Sequence, residues 1–274
     1  MPLSIYSNVA SLDAQLRLNR TQTKIAHGMA QLASGLRIAE SYDDPAGLGV
    51  STAFEAQVRS FQQAARNTND GISMLQTVDG ALGQIHSALQ RMRELAIQSS
   101  NGTLADSDRT NIQTEFAQLQ AEIDRISGST RFGSIQLLNA DTMITLQVGS
   151  NNTSADSIEV SIQQQDTAAL QIDSLKVDTQ AEATASIDAI DAAIARISSE
   201  RATLGAMQNR LRVALDNDHV FAKNLSATIS RIRDLDVAQA TADLARNQVM
   251  AQAGIAVLAQ ANQTPQMTLA LLRL

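Results

Sequence analysis

The feature that most constrains this chain is a helical pattern that runs without a break from Pro45 to about Ser100. Apolar residues recur there at seven-residue steps, which places them on one side of a helix. The stripe contains Phe54, Phe61, Leu75, Leu82, Leu89 and Ala96, flanked by Val58, Ala65, Ile72, Val78, Ile85 and Met92. A helix of about 55 residues is about 80 Å long, whereas a compact chain of 274 residues measures only about 45–50 Å across. We therefore predict a rod rather than a globule.

The composition agrees with long helices packed side by side. Aromatic residues make up 3% of the chain, Trp is absent and Pro occurs three times. The absence of Cys excludes disulfides, thiolate metal sites and cysteine nucleophiles. The net charge of −7 argues against a nucleic-acid partner, because a phosphate-binding face needs clustered Lys and Arg.

The N-terminal segment predicts one amphipathic helix followed by a connector. Its apolar residues are Ile5, Val9, Leu12 and Leu16, then Ile25, Met29, Leu32 and Leu36, with a phase slip at Leu16/Leu18. The helix is expected to stop near Ser34-Gly35, and residues 37–44 to form the connector. Asp43 and Asp44 are expected to cap the next helix, because Asp accepts hydrogen bonds from free amides and Pro45 suits a first turn.

The middle of the chain predicts a third helix and a β-hairpin. After Asp106 the apolar residues keep heptad spacing, and they are Ile112, Phe116, Leu119, Ile123 and Ile126. Between about 132 and 163 the period changes to two, with Ile144, Leu146 and Val148 followed by Ile158, Val160 and Ile162. Because an isolated hairpin is only marginally stable, it must rest on the helices.

Two further helices complete the prediction. One begins near Ile187 and runs to about Ile232, and the other covers Leu235 to about Asn262. The expected fold class is mainly α, a long antiparallel helical hairpin or coiled-coil-like bundle with one small β-hairpin region. Residues 1–44 with 235–274 are predicted to form one domain of paired terminal helices, and residues 45–234 a rod-like bundle that carries the hairpin.

The two end segments carry few charges for helices in water. Residues 1–36 contain Asp13, Arg17, Arg20 and Lys24, and the stretch from 235 onward contains Asp236, Asp243, Arg246 and Arg273. A helix that is largely Ala, Gln, Ser and Leu on all sides is usually buried by several neighbours, and two such helices cover only one side of each other. Other copies of the chain are therefore expected to cover the rest. The predicted polymer-core residues are Ile5, Val9, Leu12, Leu16, Ile25, Met29, Leu32, Leu36, Leu244, Ile255, Leu258 and Leu271.

No pattern in the chain predicts catalysis, a metal or a cofactor. His27, His86 and His219 lie on separate predicted helices without a paired acid or nucleophile. Asp106 and Asp108 lack the twelve-residue calcium-loop spacing that ends in Glu. We expect a structural protein and not an enzyme.

The N-terminal sequence lacks the basic, apolar and small-residue regions of a signal peptide, and no window reaches 18 consecutive apolar residues. We therefore expect no membrane insertion, and any export to proceed without a cleaved signal peptide.

Several sequence blocks resemble the bacterial flagellins. They are Leu32–Ile38 (LASGLRI), Asp43–Leu48 (DDPAGL), Arg66–Ser73 (RNTNDGIS), Leu89–Ala96 (LQRMRELA), Ser107–Arg109 (SDR), Arg201–Leu211 (RATLGAMQNRL), Ser230–Asp234 (SRIRD), Gln252–Gly254 (QAG) and Ala259–Gln263 (AQANQ). The blocks span both ends in the family's order. Pro45 stands where the family more often has Ala, and Asp166 to Ala181 turns straight back where larger members insert outer variable domains.

The resemblance implies a subunit of the extracellular flagellar filament, used for swimming motility. Its expected partners are further copies of itself, the flagellar export apparatus, an export chaperone, and the filament cap and junction proteins. The resemblance also implies recognition by the host Toll-like receptor that detects flagellin, through Gln90, Arg91, Leu95 and Glu115, which also contribute to subunit packing. Without the family, Arg91 and Glu94 would read as an ordinary solvated ion pair.

Two other functions fit part of the pattern. A hook–filament junction protein shares similar terminal helices, but the blocks at 66–73 and 201–211 are of the filament type. A protein that lies on a lipid surface needs a border rich in Lys and Arg beside its apolar face, and the ends have few such residues.

Overall fold

Five α-helices dominate the computed structural model, which describes the backbone of residues 7–271 and the side chains of residues 7–263. The helices are α1 (Val9–Ser34), α2 (Pro45–Ser99), α3 (Asp106–Ser129), α4 (Gln180–Arg233) and α5 (Val237–Leu271). The mainly α fold class is thus confirmed. The chain divides into a terminal unit, residues 1–56 with 224–274, and a central unit, residues 57–223. These borders fall inside α2 and α4, whereas the predicted domain borders lie at the connectors.

The central unit has a large apolar core built on the predicted stripe of α2. Leu75, Leu82, Leu89 and Ala96 are all fully buried, because the seven-residue spacing keeps them on the side of α2 that faces its neighbours. The other helices add residues with the same spacing. From α3 these are Ile112, Phe116 and Ile123, and from α4 they are Ile190, Ile197, Leu204 and Leu211.

Two antiparallel hairpins connect α3 to α4. The second, formed by β3 (Thr142–Gln147) and β4 (Ser157–Ile162), is the predicted hairpin, and it pairs Ile144 with Val160 and Leu146 with Ile158. Val160 and Ile162 belong to the same core as the helices, so the hairpin does rest on the bundle. The first hairpin, β1 (Arg131–Phe132) and β2 (Ile135–Gln136), is too short to leave an alternating signal.

Local hydrogen bonds explain where the helices begin and end. The Asp44 carboxylate accepts from the Gly47 amide at 2.9 Å, so Asp44 caps α2 at Pro45 as predicted. Gly35 ends α1 in the left-handed conformation, with φ of 71°, and its amide donates to the Gln31 carbonyl. The fourth helix begins at Gln180, before the predicted Ile187, because the Thr179 hydroxyl oxygen caps it by accepting from the Glu182 amide at 3.3 Å. The same hydroxyl donates to the Glu182 carboxylate at 2.8 Å.

In the terminal unit, α1 and α5 pack together as an antiparallel pair. Asn8, at the start of α1, bonds to Ala261 near the end of α5, while Leu36 bridges Asp234 at the opposite end. Asp236 caps α5 by accepting from the amides of Ala238 and Gln239 at 3.0 and 3.1 Å. The helix continues to Leu271, beyond the predicted end at Asn262.

Candidate assembly interface

The seam between α1 and α5 is formed mainly by small side chains at alternating three- and four-residue steps. On each helix the residues at these steps are at least partly covered. They are Ser11, Ala14, Leu18, Thr21, Ile25, Gly28 and Leu32 on α1, and Ala240, Leu244, Asn247, Ala251, Gly254, Leu258 and Ala261 on α5. This is the spacing of an antiparallel coiled coil, and the small residues let the two backbones approach closely.

Two glycines receive the leucines of the facing helix. A Cβ atom at Gly254 would lie 3.4 Å from Leu18 Cδ1, and one at Gly28 would lie 4.0 Å from Leu244 Cδ1. Leu18 therefore packs over Gly254 and Leu244 over Gly28, in a knob-and-hole arrangement. The predicted phase slip at Leu16/Leu18 has its explanation here, since Leu18 belongs to the seam and Leu16 does not.

Hydrogen bonds fix both ends of this seam. The Asn8 amide group donates to the Ala261 carbonyl at 3.0 Å, and its oxygen accepts from the Ser11 amide at 3.1 Å. At the other end, the Arg37 amide donates to the Arg233 carbonyl at 2.7 Å, and the Leu235 amide donates to the Gly35 carbonyl at 3.0 Å. The two connectors thus hold each other in register.

Large apolar side chains cover the outer faces of the same two helices. Val9, Leu12, Leu16 and Met29 of α1, and Val249, Met250, Ile255 and Val257 of α5, are each between 50% and 66% exposed. A shallow apolar groove of about 240 Å³ lies between the helices, beside Leu18, Met250, Gly254 and Val257. Several large apolar side chains exposed on one pair of helices favour an interaction site there.

The structure divides the predicted polymer-core residues into two groups. Ile25, Leu32, Leu36, Leu244 and Leu258 are half-buried within the single chain. Val9, Leu12, Leu16, Met29 and Ile255 are exposed. Ile5 and the Leu271 side chain lie outside the described residues. Periodicity alone predicts one uniform set, because it does not say which of two apolar faces meets the partner helix.

The connector before α2 is tied to α1 by a small polar cluster. The Asp43 carboxylate, 7% exposed, accepts from the amides of Ala39 and Glu40, each at 3.0 Å. His27 Nε2 lies 3.7 Å from Asp43 Oδ1, and His27 Nδ1 lies 3.3 Å from the Tyr42 hydroxyl. The Glu40 amide holds the pKa of Asp43 below its ordinary value, burial opposes this, and the Ala39 amide and His27 lower the pKa further.

This cluster corrects two expectations. His27 does have a paired acid, which the sequence could not show because Asp43 follows only after the end of α1 and a turn. Asp43 does not cap α2, because its oxygen is already used by two preceding amides. Capping falls to Asp44 alone.

An exposed ion cluster occupies the predicted recognition face of the central unit. Arg91 Nε donates to Glu115 Oε1 at 2.8 Å, and Arg91 Nη1 donates to Glu94 Oε2 at 3.0 Å. These bonds, above all that to Glu115, raise the pKa of Arg91. Gln90 is also exposed, but Leu95 is buried, with 2% of its surface exposed. Leu95 therefore packs in the core beneath this face and does not form part of its surface.

Three arginines whose partners the sequence patterns do not predict join separate segments. Arg201 Nε donates to Asp79 at 2.8 Å, and Arg93 donates to both oxygens of Asp191, at 2.5 and 3.1 Å. Both pairs link α2 to α4 over about a hundred residues of sequence, a separation at which no spacing rule applies. Arg109 is 4% exposed and donates to the Asn101 carbonyl at 2.8 Å, which secures the turn between α2 and α3.

The part of the chain that the structure describes contains no group of three or more His, Asp or Glu side chains placed to hold a metal ion. Among the helices described there, none joins the length and the apolar character that a membrane span requires.

Comparison with known proteins supplies the family. Residues 5–143 match the model of the bacterial flagellin N-terminal helical region, and residues 187–272 match that of the bacterial flagellin C-terminal helical region. The chain is 41% identical to a flagellin of Halalkalibacterium halodurans over 271 residues, covering 98% of this chain and 99% of that one. It is 37% identical to the flagellar filament 33 kDa core protein of Treponema phagedenis, again over 98% and 99%. A crystal structure of Bacillus cereus flagellin is 36% identical and covers 56% of this chain and 88% of that one, with a TM-score of 0.49.

Proposed function

The chain belongs to the bacterial flagellin family, and from that premise we propose that the outer faces of α1 and α5 form the contacts between neighbouring copies in the flagellar filament. As a flagellin, it is a structural subunit of the filament that drives swimming. The observation that carries the proposal is the exposure of large apolar residues on both helices of the terminal pair.

The energetics support self-assembly through this pair. Within one chain, the seam covers mainly small side chains, while Leu12, Leu16 and Ile255 stay more than half exposed. Burying one such side chain is worth about 1.5–3 kcal/mol. Several of them on each helix therefore provide a large driving force for association with identical surfaces, partly offset by the entropy of association.

Paired substitutions on the outer face test this proposal. We expect Leu12→Gln with Leu16→Gln to leave the helicity of the monomer unchanged, because both side chains are exposed there. The critical concentration for seeded polymerisation should rise by about tenfold or more for each leucine replaced. Circular dichroism of the monomer and sedimentation of the polymer measure the two effects.

The matched control is Met143→Gln, which removes an exposed apolar side chain from the β3 strand of the central unit. It should polymerise like the unsubstituted chain. Normal polymerisation of the Leu12/Leu16 variant would contradict the proposal, and so would equal rises in critical concentration for the variant and the control.

We also propose the export route expected of the family. The chain would pass through the flagellar export apparatus with the help of an export chaperone, meet the cap and junction proteins, and keep its N-terminal segment. Family membership supports this route. N-terminal sequencing of protein from sheared filaments tests it, and a filament protein that begins at an internal residue would contradict it.

A second proposed role is recognition by the flagellin-sensing Toll-like receptor of a host, with Gln90, Arg91 and Glu115 on the contact surface. The arrangement that supports it is the exposed guanidinium of Arg91, held in place by Glu94 and Glu115. Arg is enriched among residues that dominate protein interfaces, because it combines planar hydrogen bonding with a long apolar stem. Fixing its position in advance reduces the entropic cost of binding.

Arg91→Ala tests this role in a receptor-signalling assay with monomeric protein. We expect binding to weaken by about 2 kcal/mol, or about thirtyfold in the concentration for half-maximal signalling. Arg93→Ala is the matched control, since Arg93 lies on the same helix and pairs with Asp191. Equal effects of the two substitutions, or no effect of Arg91→Ala, would contradict the receptor role and leave Arg91 as a member of an ordinary surface ion pair.

A further inference from the structure

A carboxylate occupies a core position of α4. The buried stripe of this helix runs through Ile197, Leu204 and Leu211 at seven-residue steps, and the next step is Asp218. Asp218 is 4% exposed, nearly as buried as the leucines before it. Its Oδ2 atom has no hydrogen-bond partner among the described residues. An ionised, unpartnered carboxylate in such a place is strongly disfavoured.

A second carboxylate, Asp156, lies in the loop between β3 and β4. The loop is flanked by Val148 and Ile158, which belong to the same core as Leu211 of α4. Asp156 is fixed there, because its amide donates to the Thr153 carbonyl at 3.0 Å and its carbonyl accepts from the Val148 amide at 2.8 Å. The Thr153 hydroxyl donates to Asp156 Oδ2 at 2.5 Å. A Cβ at Gly149 would overlap Asp156 Oδ1, so the carboxylate occupies the space that the glycine leaves free. The position of the Asp156 carboxylate is therefore set by the fold of the loop.

The surroundings favour a neutral Asp218. Burial raises the pKa of Asp218 to about 6, His219 on the same helix works against the rise, and Asp156 adds to it. On α2, Arg66 donates to Gln63 Oε1 at 2.6 Å. The α2 residues that line the groove beside the loop are uncharged, and they are Ser60, Gln63, Ala64 and Asn67.

We propose that Asp218 is a proton-binding site that couples pH to the attachment of the loop at residues 149–156. With the proton bound, Asp218 is neutral and the loop stays closed. When the proton leaves, Asp218 carries a buried negative charge that the charge of Asp156 repels. The loop is the weaker element, since it contains only a single 3-10 turn at Ser154–Asp156. The loop then opens more often, and water reaches both carboxylates.

The direction of the effect follows from linkage. Because the folded chain holds the proton more tightly than an unfolded aspartate, the closed loop is favoured fully below the ordinary value of 3.8 and is weakened as the pH rises through about 6. The opening equilibrium should therefore increase about tenfold between pH 5 and pH 7.

Two measurements on the monomeric full chain test this site. NMR of the side-chain carboxyl carbons should show Asp218 titrating well above the other aspartates. Hydrogen exchange of the Val148 amide, which donates to Asp156, should lose protection about tenfold from pH 5 to pH 7 after correction for the chemical exchange rate.

Variants make the test specific. Asp218→Asn mimics the protonated form, so its Val148 protection should stay at the pH 5 level at both pH values. Asp156→Asn, in the loop itself, should lower the Asp218 pKa and reduce the pH dependence without touching the α4 core. Asp216→Asn, at an exposed position of the same helix, is the control and should behave like the unsubstituted chain. An Asp218 that titrates in the ordinary range, or Val148 protection that does not change with pH, would overturn the proposal.

Discussion

The central unit and the α1/α5 pair use the same heptad spacing for opposite purposes. In the central unit the repeating positions hold Leu, Ile, Phe and Met, and these are almost completely buried within one chain. In the α1/α5 pair the repeating positions hold mainly small residues such as Ala, Gly, Ser and Thr, while many of the larger apolar residues lie on the outside. The spacing alone therefore does not distinguish a core that is complete in one chain from one that needs further copies. The size of the side chains on each face of the helices distinguishes them.

Because of this difference, the apolar residues of the central unit stabilise the folded monomer, whereas those on the outside of the α1/α5 pair stabilise the polymer. A residue such as Leu89 contributes to folding of the monomer, because it is already buried there. A residue such as Leu16 contributes only when another copy covers it. The central unit is then a preformed scaffold, and the α1/α5 pair completes its core by polymerisation.

The largest expected effect comes from removing residues 235–274. This deletion should abolish filament formation and leave the central unit helical, because it takes away one apolar outer face and uncovers the inner face of α1. At roughly 25 cal/mol per Å², a helix face of several hundred Å² is worth on the order of 10 kcal/mol per subunit before entropy is subtracted. Seeded polymerisation, sedimentation and circular dichroism measure both outcomes. Filaments built from the truncated chain would contradict the claim that the α1/α5 pair forms the contacts between copies.

A matched pair of leucine substitutions sharpens the comparison. Leu82→Ala should destabilise the monomer by about 2–5 kcal/mol, because it leaves a cavity in a fully buried position. Leu16→Ala should change monomer stability by less than about 0.5 kcal/mol, because its side chain is exposed. Only Leu16→Ala should raise the critical concentration at a temperature where both monomers are folded. Thermal unfolding and sedimentation separate the two cases, and a destabilised Leu16→Ala monomer would count against them.

The long helices were predictable because their signals are local. The seven-residue stripe of α2, the Asp44-Pro45 start and the Gly35 stop all act within a few residues. The β3/β4 hairpin was predictable from the alternation of Ile144, Leu146, Ile158 and Val160, which all lie on paired strands.

The features that the sequence did not predict depend on contacts between distant segments. The buried position of Leu95 and the pairing of His27 with Asp43 are set by which face of a helix meets which neighbour. Asp218 is the clearest case. It continues the seven-residue spacing of Leu204 and Leu211, but a search for apolar residues at that spacing does not include an aspartate. Polar residues at core steps of a heptad are the signal that points to it.

A smaller effect is expected at the end of the seam. Asn8→Ala removes both the cap on the Ser11 amide and the bond to the Ala261 carbonyl. It should destabilise the α1/α5 pair by about 1 kcal/mol, seen as faster amide exchange in the first turns of α1. The control Asn19→Ala, at an exposed position of the same helix, should leave that exchange unchanged. Unchanged exchange in Asn8→Ala would show that the seam needs no hydrogen bond at this end.

The smallest expected effect is a pH response of the connector. Because the folded chain lowers the Asp43 pKa, the contribution of Asp43 to stability is complete above its ordinary value of 3.8 and disappears as the pH falls through the lowered value. The amide protons of Ala39 and Glu40, which donate to Asp43, should shift in NMR spectra over that acidic range. In Asp43→Asn these shifts should disappear. A pH response of the two amides that persists in Asp43→Asn would instead contradict control by Asp43.

Hydrogen exchange with peptide resolution, compared between monomer and filament, tests the central claim most directly. The amides of α2 between residues 72 and 96 should be strongly protected in both states, because their core is complete in one chain. The amides of α1 and of α5 up to residue 263 should exchange much faster in the monomer and become as well protected as α2 in the filament. Equal protection of the two regions in the monomer, or no gain in α1 and α5 on polymerisation, would contradict the account.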